Sequence, residues 1–461
     1  MVVRTRIAPS PTGEDLHIGN IYTGLLNYAF AKKNEGKFII RIEDTDRTRF
    51  VEGSEEKILK SLRTFKLNYD EGPDVGGPFA PYKQSERLEN YQNYTQQLID
   101  NDHAEFAYYP KEGAGIKKDY SQKDPLEINV HDNIPNPTAP KSVKEMIENS
   151  EFTDWVVRMK IPENKIIKFT DPIRGEIEFN SNDISQQVVL KSDGYPTYHL
   201  GVVIDDHLME ISHVIRAEEW ISSTPKHILL YEYFGWDKPE FIHIPLLRNE
   251  DHSKLSKRKN PVWASWYIEN GYLPEAVLNF LALLGWSHPE EKEIFSLDEF
   301  VKLFDPKDLH PVGPIFDLKK LEWMNGEYIR MMDDLELKEK LLRFDPSISE
   351  VQDFEKYISS AKTRMRKLSE FRNLIETEIN IELNENQVKL ANRLKDEYAN
   401  ISNWNAGAVS EVTIATMKDL QASGKDVYMV LTGKSQGIPF DERLEIQGQQ
   451  ETISWLDKII K

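Results

Sequence analysis

The stretch "PSPTGEDLHIGN", residues 9–20, places a histidine, a glycine and an asparagine where a strand gives way to a helix. A helix N-terminus carries unpaired backbone N–H groups and a partial positive charge, so it attracts phosphate. His17 and Asn20 stand in the expected first turn, and Gly19 would let a flat base or sugar approach the backbone. Alone, this stretch is weak evidence, because an ordinary turn with a capping histidine has the same sequence.

A second stretch, "HSKLSKRKN" at residues 252–260, concentrates positive charge after another apolar strand. Lys254, Lys257 and Arg258 could close on a polyphosphate and neutralise charge that develops at its α- and β-phosphates. Most basic runs are only solvated surface. The two stretches together favour a nucleotide site far more strongly than either does alone.

The elements that must position the first stretch form a βαβ unit. Residues 2–8 are rich in β-branched side chains and predict a strand, and the segment "KFIIRI" predicts another. Between them, the apolar spacing from His17 predicts a helix that ends with Gly36 as its C-terminal cap. This order predicts a parallel sheet, whose ligands bind at the carboxyl ends of the strands.

The rest of the chain predicts an α/β fold: a split, Rossmann-like parallel-sheet domain with an insertion, followed by an all-helical C-terminal half. Helices are expected near residues 53–65 and 86–102. Later segments predict that the parallel sheet resumes, among them "VVLKSDG", "HLGVVIDD", "SHVIRAEEW" and "EFIHIPLL". The expected boundaries are 1–105 and 186–245 for the two halves of the sheet domain, 106–185 for the insertion, 246–325 for the region of the second basic stretch, and 326–461 for a helical region of two subdomains.

Composition excludes several kinds of chemistry. The 461 residues include no cysteine, which excludes disulfides, thiolate nucleophiles and cysteine-bound zinc, and no HExxH pair suggests another metal site. The net charge of −19 argues against nonspecific nucleic-acid binding but leaves room for a local basic patch. Since no long apolar run and no signal-peptide core occur, we expect a cytoplasmic protein without a membrane span.

A series of segments between residue 4 and about residue 330 carries a resemblance to a known family. They are "RIAPSPTG", "HIGN", "RIEDTDR", "YDEGPDVGGP", "YKQSER", "LKSDGYPTYHL", "DDHLM", "VIRAEEW", "PLLRN", "KLSKRK" and "FDLKKLEWMNGEYIR". The chain resembles the class I aminoacyl-tRNA synthetases, and more narrowly the bacterial glutamyl-tRNA synthetases. The family signatures, His-Ile-Gly-His and Lys-Met-Ser-Lys-Ser, here end in Asn20 and Arg258, which keep their hydrogen-bond donors.

The resemblance implies a two-step reaction. ATP activates L-glutamate to glutamyl-adenylate with release of pyrophosphate, and the glutamyl group then passes to the 3′-terminal adenosine of tRNA(Glu). The residues implied to hold ATP are His17, Gly19, Asn20, Lys254, Lys257 and Arg258; the ones implied to be catalytic are His17, Asn20, Lys254 and Lys257. We expect Mg²⁺ to be bound with ATP rather than by the protein, and we expect no zinc.

The glutamate pocket must offer cations to two carboxylates and one acid to an ammonium group. Arginine suits the first task, since its planar fork pairs with a carboxylate at two points. The resemblance implies glutamate-binding roles for Arg6, Ala8, Ser10, Glu43, Tyr198, Arg216 and Trp220, with His199 as a further candidate. Within this set, Arg6 and Arg216 are expected on carboxylates and Glu43 on the amino group. The alternative for each arginine is a surface ion pair.

The resemblance also implies that the helical C-terminal half reads the anticodon. RNA loops are read by stacking and by hydrogen bonds to base edges, which tolerate a negative total charge. The segment "SAKTRMRKLSEFR" predicts a basic helix, and Arg364 and Arg366 on it are the anticodon candidates. We expect a monomer.

Several alternatives share parts of this pattern. A non-discriminating enzyme would charge both tRNA(Glu) and tRNA(Gln) with glutamate, and no residue separates it from a discriminating one. The length beyond Arg330 argues against a truncated relative that modifies a tRNA base, and it argues, with the pocket residues, against a small nucleotidylyltransferase. The presence of His17 and Lys257 argues against a catalytically dead RNA-binding scaffold, and Arg216 argues against a glutamine-specific synthetase.

Overall fold

A computed structural model of the chain describes residues 2–108, 138–256, 261–378 and 381–460. The chain forms two compact units. The first consists of Met1–Ser265 with Leu281–Phe316, and the second of Trp266–Phe280 with Asp317–Lys461. Lys257 and Arg258 lie outside the described residues, as does 109–137 of the predicted insertion.

The described strands all lie in the first unit. They are β1 (Arg4–Ile7), β2 (Lys37–Ile40), β3 (Ala104–Tyr108), β4 (Trp155–Met159), β5 (Ile166–Asp171), β6 (Gly175–Asn180), β7 (Gln187–Leu190), β8 (His213–Ala217) and β9 (Glu240–Ile244). The helices are α1 (Ile18–Lys33), α2 (Ser54–Thr64), α3 (Leu88–Asp100), α4 (Val143–Glu148), α5 (Tyr198–Leu208), α6 (Thr224–Phe234), α7 (Ala264–Glu269), α8 (Pro274–Ala282), α9 (Leu297–Leu303), α10 (Leu318–Met331), α11 (Asp334–Phe344), α12 (Ile358–Lys362), α13 (Phe371–Ile375), α14 (Glu385–Ala399), α15 (Ala406–Leu420), α16 (Gly424–Thr432), α17 (Phe440–Gln447) and α18 (Gln449–Ile460). No helix among the described residues is both long and apolar enough to cross a lipid bilayer.

The predicted parallel sheet is confirmed. Strand β1 pairs in parallel with β2, and β8 pairs in parallel with β9. Ser212 joins the two pairs at the start of β8, because its backbone N–H donates to the Arg4 carbonyl at 3.1 Å and its hydroxyl accepts from the Arg4 N–H at 2.8 Å. Helix α1 connects β1 to β2 and packs against β1, which completes the predicted βαβ unit.

Helix α1 has other ends than those predicted. It begins at Ile18, so that His17 is the N-cap, and it is capped at its C-terminus by Asn34 rather than by Gly36. The left-handed residue that turns the chain is Glu35, with φ of 54°. Gly36 has a different task, since a Cβ at this position would lie 2.1 Å from the Val3 carbonyl oxygen. Glycine is required there by a close backbone approach.

Two of the segments predicted to continue the parallel sheet do something else. "VVLKSDG" contributes β7, but β7 pairs antiparallel with β4, which also pairs antiparallel with β3. "HLGVVIDD" lies in α5, whose residues from His199 to Asp206 are all buried. A helix buried all around has no polar face, so its apolar run is indistinguishable from a buried strand by periodicity.

Between β4 and β7 the chain forms an antiparallel hairpin, β5–β6, in which Ile166 pairs with Asn180 and Asp171 with Gly175. The core beneath these strands combines side chains of α3, α5 and α6 with those of the sheets, for example Tyr91, Leu200 and Ile228. The hairpin is therefore fixed to the same core as the helices that follow β7 and β8.

The second unit is helical, as predicted, with two apolar cores. "SAKTRMRKLSEFR" is not one basic helix. Arg364 and Arg366 lie exposed on a turn between α12 and α13. The intervening Met365 is fully buried, and Leu368 donates its N–H to the Gly271 carbonyl at 2.9 Å. These anchors favour a turn over a continuous helix.

Candidate active site

His17 caps the helix that follows β1. Its Nδ1 accepts a hydrogen bond from the Gly19 N–H at 2.9 Å. Since the neutral ring carries one proton, that proton lies on Nε2, which is therefore a donor. A Cβ on residue 19 would lie 3.1 Å from His17 Nδ1, so a side chain at Gly19 would crowd the cap. Asn20 is exposed beside them in the first turn of α1.

The chain that follows the second basic stretch pairs with the His17 segment. Trp263 forms an antiparallel bridge with His17. On either side of that bridge, Ile18 donates its N–H to the Val262 carbonyl at 2.7 Å and Ala264 donates to the Leu16 carbonyl at 2.9 Å. The structure thus brings the residues directly after 257–260 to the N-cap of α1.

The other flank of the basic stretch is attached to the chain after β9. Leu255 is buried and donates its N–H to the Leu247 carbonyl at 3.0 Å. Lys254 is mostly exposed, and its Nζ lies 2.6 Å from a carboxylate oxygen of Glu219. An exposed lysine in a single ion pair can exchange that partner for a phosphate at small cost.

The residues predicted to bind glutamate converge at the carboxyl ends of the strands. Arg6 lies on β1, Glu43 follows β2, Arg216 lies on β8 and Tyr198 begins α5. Burial raises the pKa of Tyr198, and the charges of Arg216, Glu43 and Arg6 also act on its hydroxyl. Trp220 packs against Tyr198 with ring centroids 4.4 Å apart and the ring planes tilted by 34°. These side chains therefore lie together, and we call this cluster the pocket.

Two further candidates lie on the loop that leaves β1. Ala8 is half-buried, and Ser10 is exposed and accepts a hydrogen bond from the Thr12 N–H at 2.9 Å through its carbonyl oxygen. His199 is buried next to Tyr198 on α5, with ring centroids 5.4 Å apart. His199 thus contacts the Tyr198 ring.

Arg6 is neutralised within the protein. Its Nε and Nη2 donate to the two carboxylate oxygens of Asp206 at 3.0 and 2.9 Å. Asp206 also accepts from Arg41 Nη1 at 2.8 Å. Although burial alone would raise the pKa of Asp206, the two guanidinium groups outweigh it and hold that pKa below its usual value. Arg6 is consequently a fixed, paired cation.

Arg216 is surrounded by neutral acceptors instead. Its Nε donates to His243 Nε2 at 3.2 Å, and its Nη1 lies 3.1 Å from His227 Nδ1. Its Nη2 donates to Thr224 Oγ1 at 2.8 Å and to the Trp220 carbonyl at 3.4 Å. Among the described residues, the hydrogen-bond partners of this guanidinium include no carboxylate, and the side chain is only 5% exposed. A buried cation without an anion is costly unless a ligand supplies one.

The histidines around Arg216 are held in the neutral form. Burial lowers the pKa of His243 to about 4 and that of His199 to about 3, and burial together with the Arg216 charge lowers the pKa of His227. His199 Nδ1 lies 3.0 Å from His227 Nε2. Neutral imidazoles can accept hydrogen bonds from a guanidinium, whereas charged ones would repel it.

Glu43 is poised between its two protonation states. Burial raises its pKa to about 7, although the charges of Arg41 and Arg6 oppose the shift. Its Oε1 lies 3.4 Å from Arg41 Nη2. A carboxyl group in this state can become the anionic partner of an ammonium group that enters the pocket.

Sequence reasoning missed the residues that hold the predicted ones in place. Asp206 accepts hydrogen bonds from both Arg6 and Arg41. His227 and His243 lie next to the Arg216 guanidinium. Asp206 lies in "DDHLM", which contributed to the resemblance but received no role. The histidines gave no signal, because their partner is distant in sequence. Among the described residues no group of three or more histidine and carboxylate side chains could hold a metal ion.

The chain is similar to known proteins along its whole length. Residues 2–323 match the model of the catalytic domain of class I tRNA synthetases for E and Q, and residues 336–460 match an anticodon-binding domain. A glutamate–tRNA ligase from Acidothermus cellulolyticus is 49% identical over 346 residues, which cover 75% of this chain and 67% of that protein. One from Fusobacterium nucleatum is 39% identical over 100% of this chain and 97% of its own length. The crystal structure of a glutamate tRNA ligase from Elizabethkingia meningosepticum, in complex with its amino acid, has a TM-score of 0.80, 35% identity and coverage of 100% and 99%.

Proposed function

The chain belongs to the class I tRNA synthetase family for glutamate and glutamine, and from this premise we propose that its pocket activates L-glutamate with ATP for transfer to tRNA(Glu). As a glutamate–tRNA ligase it forms glutamyl-adenylate, releases pyrophosphate and transfers the glutamyl group to the 3′-terminal adenosine. Neither step requires a protein nucleophile, so catalysis is positioning and charge stabilisation.

The observation that carries the proposal is the unpaired charge of Arg216. The other arginine of the pocket, Arg6, is already neutralised by Asp206. The side-chain carboxylate of glutamate supplies the anion that Arg216 lacks, and the amide of glutamine does not. Glu43 receives the ammonium group, while Tyr198 and Trp220 form the aromatic wall of the pocket.

The ATP phosphates lie at the N-terminus of α1, where His17 Nε2 is a donor and the helix dipole favours negative charge. Gly19 leaves room for the ribose or base, and Asn20 and Arg258 add donors. Lys254 and Lys257 approach from the opposite side and neutralise the charge that develops at the α-phosphate. The support for this arrangement is that Trp263, six residues after Lys257, is bridged to His17, and such a segment spans at most roughly 20 Å.

The remaining parts of the proposal concern ions and partners. Mg²⁺ accompanies ATP on its phosphates, the enzyme acts as a monomer in the cytoplasm, and Ala8, Ser10 and His199 shape the glutamate pocket. The helical unit reads the anticodon, and the exposed Arg364 and Arg366 contact anticodon bases. An exposed turn suits this role, because single-stranded bases are reached by side chains that project into solvent.

Aminoacylation with purified components tests the function. The enzyme is incubated with ATP, Mg²⁺ and either glutamate or glutamine, and with tRNA(Glu) or tRNA(Gln) in separate reactions. We expect charging of tRNA(Glu) with glutamate and none with glutamine. Charging of tRNA(Gln) with glutamate would identify a non-discriminating enzyme, and charging with glutamine alone would overturn the proposal.

A further inference from the structure

Asp171, the last residue of β5, is a fully buried carboxylate outside the pocket described above. Its Oδ2 accepts from the backbone N–H of His243 at 2.8 Å and lies 2.8 Å from His243 Nδ1. Its Oδ1 accepts from the Ile173 N–H at 2.8 Å and the Arg174 N–H at 3.3 Å, which closes the turn of the β5–β6 hairpin. Asp171 therefore connects the hairpin to β9.

The contact with Asp171 determines the tautomer of His243. A carboxylate only accepts hydrogen bonds, so His243 Nδ1 must carry the ring proton. Nε2 then has a lone pair, and it accepts from Arg216 Nε at 3.2 Å. Thr224 Oγ1 lies 3.0 Å from the same nitrogen and also accepts from Arg216 Nη2. With the opposite tautomer, a proton on Nε2 would face the Arg216 N–H.

Arg174, at the tip of the hairpin, adds a second attachment. Its Nη2 lies 2.5 Å from Glu218 Oε2, two residues after Arg216, and its Nε donates to the His243 carbonyl at 3.4 Å. Glu218 also accepts from the Leu246 N–H at 3.1 Å through Oε1. The hairpin tip thus contacts β9 and the residue that directly follows β8.

We propose that Asp171 is a positioning residue for Arg216, acting through His243, and that the β5–β6 hairpin thereby sets the geometry of the glutamate pocket. Asp171 fixes the tautomer in which His243 Nε2 can accept a hydrogen bond from Arg216. This hydrogen bond orients the guanidinium group of Arg216 so that it can pair with the carboxylate of the substrate. The inference rests on the role proposed above for Arg216. The competing explanation is that Asp171 only closes the hairpin turn.

A double-mutant cycle separates the two explanations. Asp171→Ala, His243→Gln and the double variant are compared in aminoacylation, with glutamate and ATP varied in turn. We expect Asp171→Ala to raise the KM for glutamate about tenfold or more, as for a lost buried hydrogen bond to a charged group, and the KM for ATP less than about threefold. In the His243→Gln background, Asp171→Ala should change the KM for glutamate less than about twofold, because the histidine that connects Asp171 to Arg216 is already absent. Lys168→Ala, an exposed residue of the same hairpin, is the control for hairpin stability.

If Asp171→Ala raised the KM for glutamate and the KM for ATP equally, Asp171 would have a structural role only. The same would follow if the effects of Asp171→Ala and His243→Gln on the KM for glutamate multiplied in the double variant. The tautomer of His243 gives a second test that needs no substitution at Asp171. In ¹⁵N-histidine-labelled wild-type enzyme, with the signal assigned from His243→Gln, we expect a neutral ring protonated at Nδ1. A ring protonated at Nε2, or a charged ring at neutral pH, would overturn the inference. This signal is independent of the substrate, so it remains informative if the enzyme does not use glutamate.

Discussion

Arg6 and Asp206 form a buried ion pair of two parallel N–H···O hydrogen bonds, 3.0 and 2.9 Å long, between β1 and α5. Asp206 shares its charge with Arg41, which is also fully buried. Two guanidinium groups are thus fixed beneath the pocket by one carboxylate. Arg6 therefore contributes to the rigidity and the electrostatic potential of the pocket as one member of the cluster of Arg6, Arg41 and Asp206.

Asp206→Asn leaves Arg6 and Arg41 without their shared anion. We expect the free energy of unfolding at pH 7 to fall by about 3–5 kcal/mol, the usual cost of breaking a buried pair from one side. Urea denaturation followed by circular dichroism measures this value. Asp46→Asn, which breaks an exposed pair with Arg49, is the matched control and should cost about 0–1 kcal/mol. Similar losses in the two variants would mean that the buried cluster is not a stabilising element.

His17 has two tasks that substitution can separate, since its Nδ1 caps α1 while its Nε2 carries the ring proton. Asparagine is among the best N-cap residues, so His17→Asn should change the free energy of unfolding by less than about 0.5 kcal/mol, whereas His17→Ala should cost about 1 kcal/mol. Both variants should lose about 100-fold or more in kcat for ATP–pyrophosphate exchange, as for a lost donor to transition-state charge. Full exchange activity in His17→Asn would reduce His17 to a helix cap.

Lys257→Ala should leave the fold intact and lower kcat for ATP–pyrophosphate exchange by about 100–1,000-fold, because one donor to the developing phosphate charge is lost. Lys60→Ala, an exposed lysine on α2, is the control and should have wild-type kinetics. Normal exchange in Lys257→Ala, measured with the thermal unfolding midpoint unchanged, would contradict the proposed role.

Glu43 gives glutamate binding a predictable pH dependence. Its pKa in the folded protein is about 7, so the carboxylate that an ammonium group needs is present above this pH and disappears as the pH falls. The KM for glutamate should rise about tenfold for each pH unit below 7, in steady-state kinetics at saturating ATP. The same raised pKa means that Glu43 favours the folded state at low pH and loses this contribution as the pH rises through 7.

Glu43→Gln is the matched control for that dependence, because an amide does not titrate. Its KM for glutamate should be high and nearly constant between pH 6 and 8. A wild-type KM that is flat over this interval would show that Glu43 is not the group that receives the ammonium.

Local patterns in the sequence predicted the elements that carry the pocket, because β-branched strands and helical spacing are visible within a few residues. The boundary at His17 was wrong by one residue, since a capping side chain and a first helical turn have the same sequence. The antiparallel pairing of β7 and the helical state of "HLGVVIDD" could not be predicted, because burial on all sides erases the polar face that distinguishes the two structures.

The roles of the two pocket arginines depend on residues that are distant in the sequence and contact them only in the folded chain. Arg6 and Arg216 were equivalent in the sequence, as two arginines at the ends of strands. In the folded chain Asp206 neutralises the first, while neutral histidines surround the second. These partners come from α5, α6 and β9, so no local spacing could assign them. The turn that presents Arg364 and Arg366 depends in the same way on contacts of Met365 and Leu368.

The central claim is that Arg216 is the buried cation that waits for the substrate's side-chain carboxylate, and Arg216→Gln tests it most directly. Removing one partner of a buried charge pair costs about 2 kcal/mol or more, so the KM for glutamate should rise at least roughly 30-fold. The KM for ATP should change less than about threefold, and Arg63→Gln, which breaks an exposed pair with Asp74, should leave both constants unchanged. A folded Arg216→Gln enzyme whose KM values for glutamate and ATP rise equally, or do not rise, would contradict the claim.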